Sequence, residues 1–449
     1  MDLPLLNTPA TAATHTHSGL PALSALSAET AHTAVETTAD TAATEWPDRS
    51  VVDEALADPS WRPLPFTQFV VKAHGRCNLA CDYCYIYEMA DQSWRGKPMA
   101  MARETVDRTA YRINEHLTAH RDEVAQVIVT FLGGEALLVG PDELDHAAGA
   151  FRSAMPDGVE AILSVTTNGV LLDDPRMLDV LERHDIKVTL SLDGARDAHD
   201  RHRKYANGKG SFDAVMRGVA ALRAAATVPD RLRNVLCVVD LDNDPLETYE
   251  ALAAVGAPQV DFLLPLDDWE HTPPGWTGDT GGTAYADWLI PIFDHWYGTV
   301  PVPTTVRFFD SIIGLVLGGH STTEAVGLED FQSLTIDTDG SIELIDALKS
   351  NFQGAPLTGL NVRDNAFDEA RLHPGVVARQ RGAAGLSPTC RACELREICG
   401  GGQYTNRYRA GSGFLNPSVF CTDQAALITH IRDRVLADVA RLQAGAAHR

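Results

Sequence analysis

The chain has 449 residues, 45% of them hydrophobic and 22% charged, an ordinary balance for a globular protein with room for about two or three domains. Its formal net charge of −24 leaves no basic stripe to neutralise phosphates, which excludes a nucleic-acid partner. No apolar run is long enough to span a bilayer and no charged-then-apolar signal is read at the start, so a soluble, cytoplasmic protein with no membrane partner is expected.

Eight cysteines fall in two groups, at 77–84 and 390–421, with Cys237 alone between them. Clustered cysteines in a chain of this size point to metal binding in a reducing compartment and not to a disulfide scaffold. HExxH, GxSxG and phosphate-loop patterns are absent, which removes those chemistries.

In chain order, residues 1–48 are rich in Ala and Thr and are predicted to be a disordered leader, because they offer too little apolar surface to offset their ordering entropy. A short helix is predicted over Val51–Ala57 before Pro59, Pro63 and Pro65 break the chain. From Phe66 onward strands and helices alternate. Strands are predicted at Gln68–Ala73, Gln126–Leu132, Glu160–Thr166, Lys187–Leu192, Asn234–Asp240 and Gln259–Leu264. Helices are predicted between them at Arg103–His120, Asp142–Ala154, Pro175–His184, Phe212–Ala226 and Pro245–Val255. Near-continuous apolar runs such as VIVTFL suit strands of a parallel sheet buried on both faces. Six such strands with right-handed crossovers predict an α/β fold, a partial (β/α)6 barrel, whose ligand-binding loops follow the C-terminal strand ends. Cys237 falls in the fifth strand and reads as a buried structural thiol.

Residues 267–283 read as a loop, and an amphipathic helix Tyr285–Tyr297 follows with Trp288, Ile292 and Trp296 on its core face. Leu334–Ile345 alternates around Asp339-Gly340, a hairpin signal. A helix over Asp423–Leu442 closes the chain. The expected division is a leader (1–48), the barrel (49–265), a helical bridge (266–330), a small C-terminal cysteine-bearing domain (331–424) and a final helix (425–449).

Cys77, Cys81 and Cys84 lie at C-x3-C-x2-C spacing directly after the first strand, so one loop can wrap three thiolates around one corner of a metal cluster. Three protein ligands on a four-iron cube leave one iron open, as a catalytic metal requires. A zinc site is the alternative reading, although zinc commonly takes four ligands and only His74 lies nearby. Gly133-Gly134-Glu135 ends the second strand, where two glycines let bare carbonyls approach a ligand. Thr166-Thr167-Asn168-Gly169 ends the third strand and Ser191-Leu192-Asp193-Gly194 the fourth. The second cysteine set is Cys390-x2-Cys393-x5-Cys399 with Cys421 beyond, four ligands for a complete auxiliary cluster or, alternatively, for zinc.

The C-x3-C-x2-C loop, with Tyr83 before its third cysteine, resembles the signature of radical S-adenosylmethionine (SAM) enzymes. That resemblance implies that Cys77, Cys81 and Cys84 carry the catalytic cluster and that Gly133, Gly134 and Glu135 meet the methionine amino group. It assigns Ser191 to the cofactor's ribose, Arg203 to its carboxylate and Tyr83 to its adenine, with Asn168 and Asp193 also among the cofactor-binding residues. Ala136 stands where the family's GGEP has proline. His199 and His202 are expected in a solvated loop. The second cysteine set resembles the SPASM extension, whose pattern is an upstream cysteine pair, a C-x2-C-x5-C-x3-C run and a final cysteine. Here Gln403 replaces the x3 cysteine, and the hairpin Ile336–Glu343 has none. The nearer auxiliary cluster is therefore expected to be missing and the farther one, on Cys390, Cys393, Cys399 and Cys421, intact.

CDYCYIYE with ADQSWRGKPM, and the run from Cys399 through Tyr404, Arg407 and Phe414 to Val419, resemble more narrowly the radical SAM/SPASM proteins of FxSxx-COOH peptide systems, whose relatives form cyclophanes. This implies a peptide-crosslinking oxidoreductase with SAM and two 4Fe-4S clusters as cofactors. Through a 5′-deoxyadenosyl radical it would join a side-chain Cβ of a ribosomal precursor peptide to a nearby aromatic ring. Its partners would be that peptide and a flavodoxin- or ferredoxin-type reductant, and Asp346 is the candidate base. The alternatives are a sulfatase-maturase-like oxidation of one Cys or Ser, and a non-catalytic metal-binding protein.

Overall fold

The computed structural model describes residues 46–225, 231–277 and 281–447; most of the leader expected at 1–48 lies outside them. Six parallel strands carry the fold: β1 (Gln68–His74), β2 (Gln126–Gly133), β3 (Glu160–Thr167), β4 (Lys187–Ser191), β5 (Leu232–Val238) and β6 (Gln259–Leu263). They stand side by side in sequence order, as right-handed βαβ crossovers require. All six lie within a residue or two of their predicted positions.

The crossover helices are equally local in origin. Pro175–Arg183 and Pro245–Ala254 each start at an Asp-Pro pair. Asp174 caps Arg176 N, and Asp244 caps Leu246 N and Glu247 N, satisfying first-turn N–H groups that have no helical partner while proline needs none. The short helix Arg49–Ala57 also forms, capped by Asp48. Trp288, Ile292 and Trp296 are buried in helix Ala284–Gly298, as expected of core packing. Cys237 is buried in β5.

The expectation that strands are buried on both faces needs correction. In β2, Val127, Val129 and Phe131 are fully buried, with Phe131 packed on Phe151 of helix Pro141–Ser153 at 5.8 Å. The alternate residues Ile128, Thr130 and Leu132 are only half-buried, and Thr130 bonds Ser164 of β3 across that face. The incomplete barrel leaves its inner face partly open.

Two further strands flank the six-stranded core in a way no local pattern announced. β7 (Thr305–Val306) pairs with β6, and β8 (Ser333–Ile336) pairs in parallel with β1 on the side away from β2. β8 forms the expected hairpin with β9 (Ser341–Glu343), closed by Gly340 at φ 80°, and β10 (Leu357–Asn361) completes a ten-stranded sheet. The final helix runs over Cys421–Ala447, starting at the fourth thiol of the second set.

The β1–β2 pairing continues past the strand ends: Gly134 N donates to His74 O at 2.9 Å and Glu135 N to Arg76 O at 3.0 Å. Gly133 holds φ 152°, and a Cβ there would lie 2.1 Å from His74 O, a backbone atom that cannot rotate away. Gly133→Ala is therefore expected to lower unfolding free energy by about 2 kcal/mol or more, measured by urea denaturation. A neutral result would show that the two loops can part without cost.

Candidate active site at the strand ends

Cys77, Cys81 and Cys84 occupy the turns that follow β1. Leu79 N lies 3.4 Å from Cys77 Sγ, and Ala80 N donates to Lys204 O at 2.7 Å, tying the loop to the segment beyond β4. Asn168, at the end of β3, places its Nδ2 3.7 Å from Cys77 Sγ and 2.7 Å from Asn78 Oδ1. Burial pushes the Cys77 thiol up to about 11 and Cys81 to about 12, and raises Cys84 as well. A metal that binds here must displace these protons.

Glu135 is buried, and its carboxylate accepts from Leu137 N, Thr167 Oγ1 and Asn168 N at 3.0, 2.7 and 2.8 Å. It thus ties the β2 and β3 ends together, and its oxygens point into the fold. Burial raises its pKa against these hydrogen bonds.

Asp193 organises the far side of the rim. Its carboxylate accepts from the Tyr83 hydroxyl, from Val238 N at 3.2 Å and from Arg203 Nε and Nη2 at 2.8 and 3.4 Å. The Arg203 guanidinium lies 5.5 Å from the Tyr83 ring centroid, so this arginine is already engaged with Asp193 and stacked on the residue assigned to adenine. Ser191 closes β4, opposite Leu236 of β5. Every residue assigned to the cofactor thus sits at the C-terminal ends of β1–β4 or in the segments just after them, a single rim.

The neighbouring histidines lie in a short helix, Arg196–His202, and not in a loop, and the His202 side chain is 25% exposed. His199 is fully buried: its Nδ1 accepts from Asp193 N at 3.4 Å and its Nε2 faces Ser211 Oγ at 3.0 Å. His202 bonds Asp82 and Asp240 and packs 5.5 Å from the Tyr83 ring. The polar run His199–Arg203 looks exposed in sequence, but it folds inward as the strap that carries Arg203.

Beside the cysteine loop lies a buried ionic network that the sequence reading did not identify. Lys72 of β1 pairs with Asp346 and lies 3.2 Å from Asp337; Lys97 reaches Asp337 at 2.9 Å and Glu343 at 2.5 Å; Lys349 reaches Asp91 at 3.1 Å and Glu343 at 3.4 Å. All seven side chains are at most 10% exposed. Burial works against the Lys72 ammonium, but Asp346, Asp337 and Glu343 more than offset it, and its pKa stands well above the usual lysine value. Burial likewise opposes ionisation of Asp337, where Lys72 and Lys97 prevail and hold the carboxyl well below its usual range. Four carboxylates face three ammoniums, and burial raises Glu343. A lysine following the apolar run Phe69–Val71 of β1 was the available signal, since a buried lysine needs a partner. Asp337 and Glu343 lie on the hairpin expected to carry cysteines in the SPASM pattern, so paired charges occupy that place.

At the second set, Cys390 N is capped by Ser387 Oγ at 3.2 Å and Cys393 N donates to Cys390 O. Cys399 is followed by Gly400 at φ 60°, where a Cβ would lie 1.6 Å from Gly327 O. Burial pushes Cys399 up to about 12, reinforced by Cys421 and Cys390, and Cys421 is raised by burial with Cys390 and Cys393. These mutual effects bring the four thiols into one neighbourhood. A tetrahedral zinc site needs sulfurs roughly 3.8 Å apart. Among the described residues, neither cysteine set holds three sulfurs within 4.8 Å of one another.

The model of the Radical SAM superfamily matches residues 71–253, the stretch that holds the cysteine loop, the glycine pair, Asp193 and Arg203. The fold built around these residues is the radical SAM fold, in which a SAM-binding 4Fe-4S cluster is the implied cofactor. More particularly, the chain is 22% identical over 372 residues to a cysteine-type anaerobic sulfatase-maturating enzyme of Clostridium novyi, with 79% of this chain and 92% of the relative covered. It is 27% identical over 371 residues to a serine-type counterpart of Klebsiella aerogenes, covering 80% and 85%. Among solved structures, anSMEcpe with bound AdoMet superposes with a TM-score of 0.68 at 21% identity, covering 83% of this chain and 99% of that one. Streptococcus suis SuiB bound to precursor peptide SuiA gives 0.50 at 15% identity, covering 83% and 79%. At these identities the structural likeness is one of fold.

Two predictions follow from the site. Lys349→Met leaves Asp91 buried without its cation and Glu343 with Lys97 alone, and a loss of about 3–5 kcal/mol is expected by urea denaturation; an unchanged midpoint would show that Lys349 contributes nothing to the network. Burial, with Arg203 nearby, lowers the His199 pKa to about 4 from its usual 6.5. The folded state therefore keeps His199 neutral, and its contribution is full above the unfolded pKa and lost as pH falls from about 6.5 toward 4. Unfolding free energy measured across that window should fall by about 2–3 kcal/mol from this group, and His199→Asn should flatten the slope.

Proposed function

We propose that the protein is a radical SAM oxidoreductase that crosslinks a ribosomal precursor peptide, joining an aromatic ring to a nearby Cβ. The observation that carries the reading is the rim: a three-thiol loop, a glycine-bared strand end and the Tyr83–Asp193–Arg203 cluster, all at the C-terminal ends of adjacent parallel strands. In this reading 49–265 is the SAM-binding part and 331–424 the auxiliary-cluster part, with a flavodoxin- or ferredoxin-type protein as reductant.

Cys77, Cys81 and Cys84 hold the first cluster, and Cys390, Cys393, Cys399 and Cys421 the second. When bound with SAM, the first cluster supplies a hydrogen-abstracting carbon radical. The chain's own residues position and shield. The Gly133 and Gly134 carbonyls and Ser191 orient the cofactor, and Asp193 fixes Tyr83 and Arg203 against it. Closing a C–C bond on an aromatic ring releases one ring proton and one electron; Asp346 would take the proton, and the cluster that Cys390, Cys393, Cys399 and Cys421 would hold would serve as the electron acceptor. The Lys72 ammonium pairs with Asp346 and holds that carboxylate in place beside the cysteine loop.

The names of the curated relatives favour a second reading, oxidation of a single Cys or Ser in a protein substrate. Against it stands the auxiliary set, where Gln403 replaces the x3 cysteine of the SPASM pattern and the hairpin Ile336–Glu343 has no cysteine.

Anaerobically reconstituted protein is expected to hold about eight irons per chain, and about twelve would refute the missing nearer cluster. Reduced protein should release 5′-deoxyadenosine from SAM, and Cys81→Ala should abolish it; turnover by that variant would end the radical SAM reading. Mass spectrometry of the co-expressed precursor then separates the two chemistries: loss of two hydrogens without an aldehyde marks a crosslink, and a side-chain aldehyde marks the maturase reaction.

A further inference from the structure

A small cavity lies where the ionic network meets the glycine-bared end of β2. It gives the centre of a water molecule about 10 Å³ of room, roughly what one water needs. Lys72, Lys97, Asp337 and Thr338 line it on the network side, and Gly75, Gly133 and Gly134 on the side of the strand ends.

The charged groups on its wall converge. Lys72 Nζ and Lys97 Nζ lie 3.2 and 2.9 Å from one and the same oxygen, Asp337 Oδ2. In the β1–β2 ladder Lys72 stands opposite Leu132, and Gly133 is the next residue of β2. A buried ammonium has three N–H groups to place. Lys97 faces three carboxylates, Asp337, Glu343 at 2.5 Å and Asp339 at 3.7 Å. Lys72 faces only Asp337 and Asp346 among the described residues, which leaves one N–H over. Across the cavity, Gly134 stands one residue past the end of β2, and its carbonyl accepts from no backbone N–H among the described residues.

A donor in excess on one wall and an acceptor in excess on the other call for a ligand that does both. Charge settles its class: two ammoniums on the wall repel a metal cation, and the carboxylates paired with them repel an anion. The geometry points to one ordered water here, accepting from the Lys72 ammonium and donating to the Gly133–Gly134 backbone. Its second hydrogen meets the Asp337 carboxylate. The water joins the ionic network to the strand end and braces those glycines from behind. Their service to a cofactor's amino group rests on the radical SAM reading; the water itself does not.

A high-resolution crystal structure of the full chain tests this directly. A water peak is expected within about 3.2 Å of both Lys72 Nζ and a Gly133 or Gly134 carbonyl. In solution, oxygen-17 relaxation dispersion should count one long-lived water fewer in Lys72→Met than in the wild type. If that variant fails to fold, the wild-type crystal decides alone. A featureless cavity, a peak bonded to neither wall, or an equal count in a folded Lys72→Met overturns the proposal. Calorimetric titration of the anaerobically reconstituted protein with SAM keeps the two ideas apart. A water peak without SAM binding sinks the radical SAM reading alone, and SAM binding without the peak sinks the water alone.

Discussion

The central constraint in this molecule is the position of β1. It is hydrogen-bonded in parallel on both sides, to β2 and to β8, and it delivers the cysteine loop at its C-terminal end. A strand held by two ladders cannot shift register without inverting which face each side chain meets. The loop that follows is therefore placed by the sheet. The glycine pair of β2 then lets the adjacent strand end close against it, and Asn168 and Glu135 extend the same brace to β3. Local chemistry at the rim is thus inherited from backbone pairing several residues below it.

The ionic network is the second consequence of β1's place. Lys72 points from β1 to carboxylates on and just after the β8–β9 hairpin, so one strand carries both the cysteine loop and the cation that faces Asp346. Ion pairs this deeply buried often add little net stability compared with well-packed apolar residues, but they penalise any arrangement that separates the partners. They act here as a register lock between the barrel and the hairpin, in a place where the related cysteine pattern would have put metal ligands.

Much of this was legible in the sequence. The six barrel strands were readable because each is a short apolar run bounded by turn residues, and Asp-Pro pairs marked two helix starts. The cluster loop and the glycine pair were readable because their spacing has a chemical reason. What failed was non-local or depended on burial. Lys72 and Asp337 are 265 residues apart, and nothing near either one names the other. His199 sits in a strongly polar run, and only the tertiary fold shows that it is buried to support Asp193. The half-open inner face of β2 was misjudged because an apolar run alone does not reveal how far a barrel closes.

The hairpin's membership of the barrel sheet has a mechanical meaning. A continuous ladder transmits force along its length but does not bend like a hinge, so the barrel and the β8–β10 extension must move as one rigid plate. Any widening of the rim has to come from segments outside the ladder, such as the stretch after β6 that carries Trp269 and Trp276. Traffic into the barrel is then governed by loops, while the sheet beneath them stays still.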